Sequence, residues 1–381
     1  MSSTLLPADD LRRALAIRDL TDHGQGRHAL QLVVAGLSDA LAAGWRCPIR
    51  TVRRDPIVSL HDNYDHLGYA GDAVTRDARY TRYVDATHML RSHSSAMVPG
   101  ALRQLAEEAA DGTAPPDVLL VCPGICYRRD SIDWQHTGEP HQLDLWRIRR
   151  GRLDIDDLLD MIGRVVDAVL PGQRWRAEPA EHPYTSNGRQ IDVCWDGQWI
   201  EIGECGLAAS DVLGGAGLAS PPWTGLAMGL GLDRLLMLRK GVPDIRLLRS
   251  PDPRVAEQML DLAPYRPVSH LPAIRRDLSI VVGHDTAVDE ELIGDLVRHA
   301  LGADADVAES VGIVSETPYD ALPRPARERI GIAPGQRNVL VRLVLRPLDR
   351  TLTDAEANRL RDRVYAALHE GAVAQWASAP A

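Results

Sequence analysis

Two arginines and two polar acceptors, close together in the chain, are the first residues whose types and spacing could do chemistry. Arg128 and Arg129 follow one apolar stretch, and Gln142 and Asp144 stand at the beginning of the next. The pattern predicts a strand, a charged loop and a second strand. Such a hairpin can hold a polyphosphate, because guanidinium groups bind phosphate oxygens in pairs. A surface hairpin with solvated charges is the alternative that this segment leaves open.

A second candidate segment lies later in the chain, at residues 225–238. Its sequence is Gly-Leu-Ala-Met-Gly-Leu-Gly-Leu-Asp-Arg-Leu-Leu-Met-Leu. It predicts a glycine-rich strand that runs directly into a helix with Arg234 in its first turns. The glycines alone do not indicate a dinucleotide fold, because their spacing differs from the G-x-G-x-x-G pattern. The segment is informative only in combination with the first one.

Together the two segments resemble motifs 2 and 3 of class II aminoacyl-tRNA synthetases, and in detail they resemble the phenylalanyl-tRNA synthetase family. The resemblance implies that Arg128 contacts the α-phosphate of ATP and Arg234 its γ-phosphate. It also implies that Asp130 and His136 shape the loop between the two strands. The sequence contains no credible Ser/His/Asp set, and the implied chemistry requires none, because neutralising phosphate charge and positioning the reactants is sufficient.

Further segments resemble the family's amino-acid site. Met89-Leu-Arg-Ser-His-Ser-Ser-Ala96 matches an element that implies His93 and Ser95 near the substrate, and Gln142 and Asp144 occupy the positions that hold its ammonium group. A structural histidine in a polar turn is the alternative for His93.

Residues 199–206, Trp-Ile-Glu-Ile-Gly-Glu-Cys-Gly, resemble the family's run-up to motif 3. The resemblance implies that Glu201 is a ligand for a Mg²⁺ ion bridging the ATP phosphates, since hard cations take carboxylate oxygens. A solvated strand carboxylate is the alternative. Cys122 and Cys126 form no metal site by spacing, because no second pair exists.

Several positions depart from the family pattern. Asp144 is one methylene shorter than the usual glutamate, and Pro140 stands where an aromatic ring commonly stacks on adenine. Met228 stands where a phenylalanine usually lines the side-chain pocket, and Glu204 replaces a small residue of the pocket wall. A buried carboxylate facing an apolar ring would be costly. We therefore expect a cognate side chain or amine that differs from phenylalanine, unless Glu204 points to solvent or pairs with an arginine.

The predicted fold class is α+β, with an antiparallel class II synthetase sheet flanked by helices. Apolar spacing predicts a helix over 153–170 that packs in the core. Residues 265–381 predict the order β-α-β-β-α-β of a ferredoxin-like domain, with Thr286 capping its first helix and a final strand at 372–376. This part resembles the ferredoxin-fold anticodon-binding domain of phenylalanyl-tRNA synthetases. The expected domains are 1–250 (catalytic), 251–264 (linker) and 265–381 (anticodon-binding-like).

Composition bounds the remaining possibilities. The chain has 381 residues, a net charge of −10, a single lysine and five scattered cysteines, which suits reduced thiols and predicts a cytoplasmic protein. No apolar run approaches the roughly 20 residues that span a bilayer, and no export signal is expected. Residues 265–381 hold 14 arginines and 17 acidic residues, a net charge of −3 (14 − 17) that matches RNA poorly.

The sequence predicts a phenylalanine-type tRNA ligase that uses ATP and Mg²⁺ and forms an aminoacyl-adenylate, with an amino acid, ATP and tRNA as its partners. One alternative is a relative that activates another amino acid or amine-bearing acid and passes it to a small molecule or carrier. The other is a non-catalytic tRNA-binding paralogue. The set Arg128, Arg234 and Glu201 argues against the last of these. The oligomeric state, and any need for a partner subunit, stays open.

Overall fold

A computed structural model describes residues 5–76, 81–219, 222–268, 271–284 and 286–374. The chain divides into two compact units. The first consists of Met1–Arg128, Glu139–Val242 and Gln258–Tyr265, and the second of Arg129–Gly138, Pro243–Glu257 and Arg266–Ala381. These units differ from the predicted domains in three segments: 129–138 and 243–257 group with the C-terminal part, and 258–265 groups with the first unit. The predicted domain functions are unaffected by this division and stay predictions.

The first unit is built on a seven-stranded sheet. Its strand order is β1-β4-β5-β9-β8-β7-β6; β1 and β4 pair in parallel and all other neighbours are antiparallel, while β2 and β3 form a separate pair. The strands are β1 (Ile49–Thr51), β2 (Ile57–Ser59), β3 (His88–Leu90), β4 (Asp117–Ile125), β5 (His141–Arg150), β6 (Trp175–Pro179), β7 (Thr185–Trp195), β8 (Gln198–Ala208) and β9 (Trp223–Gly231).

Seven α-helices accompany this sheet in the described part of the first unit. They are α1 (Ala8–Leu15), α2 (Ala29–Trp45), α3 (Leu60–Asn63), α4 (Val98–Ala110), α5 (Ile155–Val169), α6 (Ser210–Gly215) and α7 (Leu232–Lys240). The predicted helix 153–170 is confirmed as α5. Asp154 and Asp157 form a capping box at its beginning, and its apolar side is buried and contacts α2. None of the described helices is both long and apolar enough to cross a membrane.

The second unit contains a three-stranded sheet in the order β10-β12-β11, with both neighbouring pairs antiparallel. Its elements are α8 (Pro253–Ala256), β10 (Ile274–Gly283), α9 (Glu290–Leu301), β11 (Ala308–Pro318), α10 (Arg324–Ile330), β12 (Gln336–Leu345) and α11 (Asp354–Leu368). Ile132 packs into the buried core of this unit, and its carbonyl oxygen accepts a hydrogen bond from the Val311 amide. The segment 129–138 is thus structurally part of the second unit.

The α+β class with a mostly antiparallel large sheet is confirmed. Two details of the predicted C-terminal domain differ from the structure. Asp289, not Thr286, caps α9: its carboxylate accepts from the Leu292 amide and closes the first turn. Residues 372–374 are not a strand, and the last two residues of the predicted strand lie outside the described residues. The ferredoxin-like assignment therefore stays a prediction.

The chain's single lysine is a buried structural residue. Lys240 ends α7, and its Nζ donates to the carbonyl oxygens of Asp261 and Ala263 at 2.9 and 2.6 Å. The Lys240 carbonyl accepts from the Tyr265 amide. These hydrogen bonds attach residues 258–265 to the end of α7.

We expect Lys240→Met to lower the free energy of unfolding by about 2 kcal/mol, because two inward-facing carbonyl oxygens lose their donor. Urea denaturation followed by circular dichroism measures the change. Arg239→Met, one position earlier on the same helix, is the matched control and should change stability by less than about 0.5 kcal/mol. Equal losses in the two variants would contradict a specific role for Lys240.

Candidate active site

The glycine-rich strand β9 lies at the centre of the candidate site, between β5 and β8. Gly203 of β8 packs so closely on β9 that a Cβ there would lie 2.2 Å from the Gly229 carbonyl oxygen. Only glycine fits this approach, since real Cβ atoms do not come so near. The neighbouring strands β5 and β8 therefore carry side chains on either side of Gly229, and Gly229 itself places no side chain between them. We call this position of β9 the glycine floor of the site.

A buried carboxylate–imidazole pair fixes the first turn of α7. Asp233 accepts from the His141 amide at 2.6 Å and contacts His141 Nδ1 at 2.9 Å. The other ring nitrogen, Nε2, accepts from the Leu20 amide at 3.0 Å. His141 is the first residue of β5 and is completely buried. The pair therefore sets the position of the next residue of α7, Arg234, relative to β5.

Both predicted phosphate-binding arginines interact with Glu201, Arg234 through a hydrogen bond and both through their charge. Arg234 Nη1 donates to the Glu201 carbonyl oxygen at 2.8 Å. Burial raises the pKa of the Glu201 carboxyl, Glu204 and Asp192 raise it further, and Arg234 and Arg128 partly oppose them. Arg128, Arg234 and Glu201, which come from distant segments of the chain, thus influence one another at one end of the sheet.

A bulge in β8 aligns two of these carboxylates. Asp192 pairs with Glu201 and Ile191 with Gly203, so Ile202 is the extra residue. Side chains of a regular strand alternate between its two faces, so Glu201 and Glu204, three residues apart, would face opposite sides of a regular strand. The extra residue between them shifts the alternation by one position. Glu201 and Glu204 therefore face the same side. Among the described residues, no group of three or more His, Cys, Asp or Glu side chains could hold a metal ion by itself.

The residues predicted to hold the substrate ammonium lie close together, and their carboxylate, Asp144, is already hydrogen-bonded. Asp144 is buried and accepts from Ser94 Oγ at 2.5 Å and from Trp146 Nε1 at 3.1 Å. Burial raises its pKa, and hydrogen bonds from Ser94, Trp146 and Ser95 counteract the rise. Gln142 Oε1 accepts from the Ser94 amide at 3.2 Å. The predicted residues Ser95, Gln142 and Asp144 therefore meet at the segment that follows β3.

His93 lies in the same place and is neutral at physiological pH. Burial and the nearby Arg128 charge lower its pKa to about 4. Its Nδ1 atom has no hydrogen-bond partner among the described residues, and its ring stacks on Tyr69 with centroids 5.6 Å apart. A neutral imidazole with an unused nitrogen can donate to or accept from a ligand.

Three predicted residues remain: two belong to the second unit, and one faces the other side of the large sheet. Asp130 and His136 belong to the second unit, where the Asp130 carbonyl accepts from Arg298 and His136 Nδ1 contacts Asp133 at 2.7 Å. Met228 is fully buried and pairs with Leu145 and Cys205, one residue away from the Asp144–Gly229 pair. Alternation along β9 places it on the opposite face of the sheet from Asp144.

In the part of the chain that the structure describes, Glu204 pairs with a histidine and not with an arginine, which was one expected arrangement. Its carboxylate contacts His182 Nε2 at 2.8 Å, and its side chain is 42% exposed. Sequence reasoning missed His182 and Tyr184 as site residues, although they bracket Pro183 just before β7. Tyr184 stacks on Trp146 with centroids 6.0 Å apart. Aromatic residues spaced two apart next to a strand were the signal that could have identified them.

Comparison with known proteins gives a consistent match over this region. Residues 25–259 match the family model described as tRNA synthetases class II core domain (F). The chain is 35% identical over 198 residues to the phenylalanine--tRNA ligase alpha subunit of Prochlorococcus marinus (strain MIT 9313). That alignment covers 52% of this chain and 56% of the relative, so the chain spans about half the length of this subunit.

Two further relatives align over most of both chains. Identity is 26% over 393 residues with the mitochondrial phenylalanine--tRNA ligase of Saccharomyces cerevisiae, covering 82% of this chain and 80% of the relative. It is also 26% over 374 residues with the probable mitochondrial phenylalanine--tRNA ligase of Drosophila melanogaster, covering 82% and 76%. These alignments extend beyond the region that the family model matches.

We expect Asp233→Ala to lower the free energy of unfolding by about 3 kcal/mol, because the buried His141 amide and imidazole lose their shared acceptor. Thermal and urea unfolding measure the loss. Asp167→Ala, an exposed aspartate on α5, is the matched control and should stay within about 0.5 kcal/mol of the parent. A parent-like Asp233→Ala protein would show that the pair does not hold α7 in place.

Proposed function

This chain belongs to the family of class II tRNA synthetases, and on that premise we propose that it is a phenylalanine--tRNA ligase-like enzyme. It activates an amino acid with ATP through an aminoacyl-adenylate and transfers the aminoacyl group to tRNA. The observation that carries the proposal is the convergence of Arg128 and Arg234 on Glu201, from segments distant in sequence. The names of the aligned relatives support the choice of substrate.

The first reaction is an in-line attack by a substrate carboxylate oxygen on the α-phosphorus of ATP. The bond from that phosphorus to the bridging oxygen breaks, and pyrophosphate leaves. Arg128 binds the α-phosphate and Arg234 the γ-phosphate. Each guanidinium neutralises charge that develops during the transfer. No protein group needs to accept a proton, so positioning and electrostatics supply the catalysis.

The residues around Glu201 fit a magnesium ion. The pKa of Glu201 is raised by burial and by its acidic neighbours Glu204 and Asp192, so a cation at this place would relieve an existing excess of negative charge. Mg²⁺ is commonly held by one or two carboxylates together with substrate phosphates, which agrees with a site that is not a complete protein cage. When bound, the ion supplies charge stabilisation on the phosphates. Glu201 is the residue we propose to hold it.

The amino acid binds beside the arginines. Its ammonium group approaches Gln142 and Asp144, and His93 and Ser95 lie beside these two residues in the segment that follows β3. Asp144 retains acceptor capacity beyond its bonds to Ser94 and Trp146, because a carboxylate offers about four lone-pair sites. Neutral His93 adds a hydrogen-bonding nitrogen without repelling the ammonium.

The tRNA acceptor is the second part of the proposal. A tRNA hydroxyl oxygen attacks the carbonyl carbon of the adenylate, AMP leaves, and the hydroxyl proton passes to solvent. We propose that residues 265–381 are an anticodon-binding domain of the ferredoxin type, supported by the order β10-α9-β11-α10-β12-α11. Their net charge of −3 implies that tRNA binding depends on local arginines. A cytoplasmic location stays a prediction.

We expect Arg128→Lys and Arg234→Lys each to lower kcat/KM for amino-acid-dependent ATP–pyrophosphate exchange by about 100-fold or more, because lysine cannot bind two phosphate oxygens at once. Arg239→Lys, on the outer part of α7, is the matched control and should retain parent activity. Exchange that persists at parent rates in both active-site variants would contradict the proposed roles.

We expect the protein to attach its amino acid to tRNA in total tRNA, measured by radiolabel retained in acid-precipitable RNA. Arg234→Lys is the negative control, since it should prevent adenylate formation. Robust pyrophosphate exchange without any charged tRNA would instead indicate transfer to a small molecule or carrier. Absence of both reactions with every amino acid would indicate a non-catalytic paralogue.

A further inference from the structure

Two carboxylates face each other across the glycine floor of the site. Asp144 of β5 pairs with Gly229 of β9, and Gly229 pairs with Glu204 of β8. Residues in such register point to the same face of a sheet, and two strand spacings separate the outer ones by about 9.5 Å. Apart from Gly229's own chain neighbours, the nearest described heavy atom to a Cβ built at Gly229 would be Asp144 Oδ2, at 3.9 Å. The space between the two carboxylates is therefore open.

The two carboxylates differ in what they already bind. Asp144 is buried and hydrogen-bonded to Ser94 and Trp146. Glu204 is about half exposed, and among the described residues its hydrogen-bond partner is His182. Gln190, which also pairs with Glu204 in register, instead donates to Asp192 at 2.8 Å. Glu204 thus retains acceptor capacity directed toward the cleft.

Both aromatic rings and polar atoms surround Glu204. Glu204 contacts His182, which lies next to Tyr184, and the Tyr184 and Tyr69 ring centroids are 6.5 Å apart. Burial raises the pKa of Tyr69 and of Tyr184, and the Glu204 charge adds to both shifts. His182 and Tyr184 have ring centroids 6.0 Å apart. Thr185 Oγ1 and His182 Nδ1 are buried atoms without a hydrogen-bond partner among the described residues. An aromatic pocket with unused acceptors and donors suits a ring that carries a polar group.

We propose that Glu204, oriented by His182, selects an aromatic amino acid whose ring carries a hydrogen-bond donor, such as a phenolic hydroxyl, over phenylalanine. This inference rests on the proposed amino-acid activation. The Glu204 carboxylate accepts the ring hydroxyl, and the rings of Tyr69 and Tyr184 contact the ring itself. Phenylalanine would cover the carboxylate oxygen that does not contact His182 without offering it a donor, and burying an acceptor without a donor is costly.

The test measures ATP–pyrophosphate exchange with phenylalanine and with its para- and meta-hydroxylated forms. We expect kcat/KM in the parent protein to favour one hydroxylated form over phenylalanine by at least about 100-fold, since sites built to bind a substrate hydroxyl discriminate strongly against its absence. Glu204→Ala should bring the ratio close to one. Glu204→Gln keeps an acceptor and should give an intermediate ratio.

Controls separate specificity from folding. Glu181→Ala removes an exposed glutamate next to His182 and should leave the ratio unchanged. Calorimetric binding of the sulfamoyl-adenosine analogues of tyrosine and phenylalanine, which do not react, should show the same preference in folded protein. Circular dichroism establishes that each variant is folded.

The outcomes distinguish this inference from the proposed function. Exchange with phenylalanine at a kcat/KM equal to or above that of both hydroxylated forms would overturn the inference and leave amino-acid activation intact. A ratio unchanged in Glu204→Ala would also overturn it. Failure of every amino acid to support exchange, with neither analogue bound, would overturn both.

Discussion

The site depends on one buried interaction, the pair between Asp233 and His141. Three chain segments meet at this imidazole: the beginning of β5, the first turn of α7, and the N-terminal segment through the Leu20 amide. The neighbouring Asp19 carboxylate accepts from the Ile125 amide at the end of β4. The pair thus fixes the ends of the elements that carry Arg128, Gln142 and Arg234. A buried charge of this kind persists only when its hydrogen bonds are complete.

The sheet around this anchor concentrates negative charge. Glu201, Glu204 and Asp192 influence one another, and burial adds to their cost by raising the pKa of Glu201. Two arginines offset part of that cost. Proteins tolerate such an arrangement where a ligand completes the charge balance, and perturbed carboxylates are accordingly enriched at functional sites. The glycines of β8 and β9 also favour ligand binding, because they let the two strands approach each other and leave space for a ligand above Gly229.

Sequence reasoning succeeded where a motif fixes both the residue type and its neighbours. The strand–loop–strand around Arg128 and the strand–helix step at Arg234 were predicted from short segments, and the capping box and apolar spacing of α5 were sufficient to define that helix. Long-range partners were not predictable in this way. Nothing local indicates that His141 meets Asp233, that Glu204 meets His182, or that Ile132 packs in the second unit. Those contacts depend on strand order and on a bulge at Ile202, neither of which leaves a signal in one sequence.

The shorter carboxylate at position 144 illustrates how one such contact changes the chemistry of the site. An aspartate reaches less far into the cleft than a glutamate, and here it lies within hydrogen-bonding distance of Ser94 and Trp146. Its pKa is raised, so part of its affinity for a cation is lost to burial. A substrate ammonium would then rely more on Gln142 and on the total negative charge of the cleft. Asp144 of β5 and Glu204 of β8 share one rung of the sheet on either side of Gly229, so both carboxylates add to that negative charge.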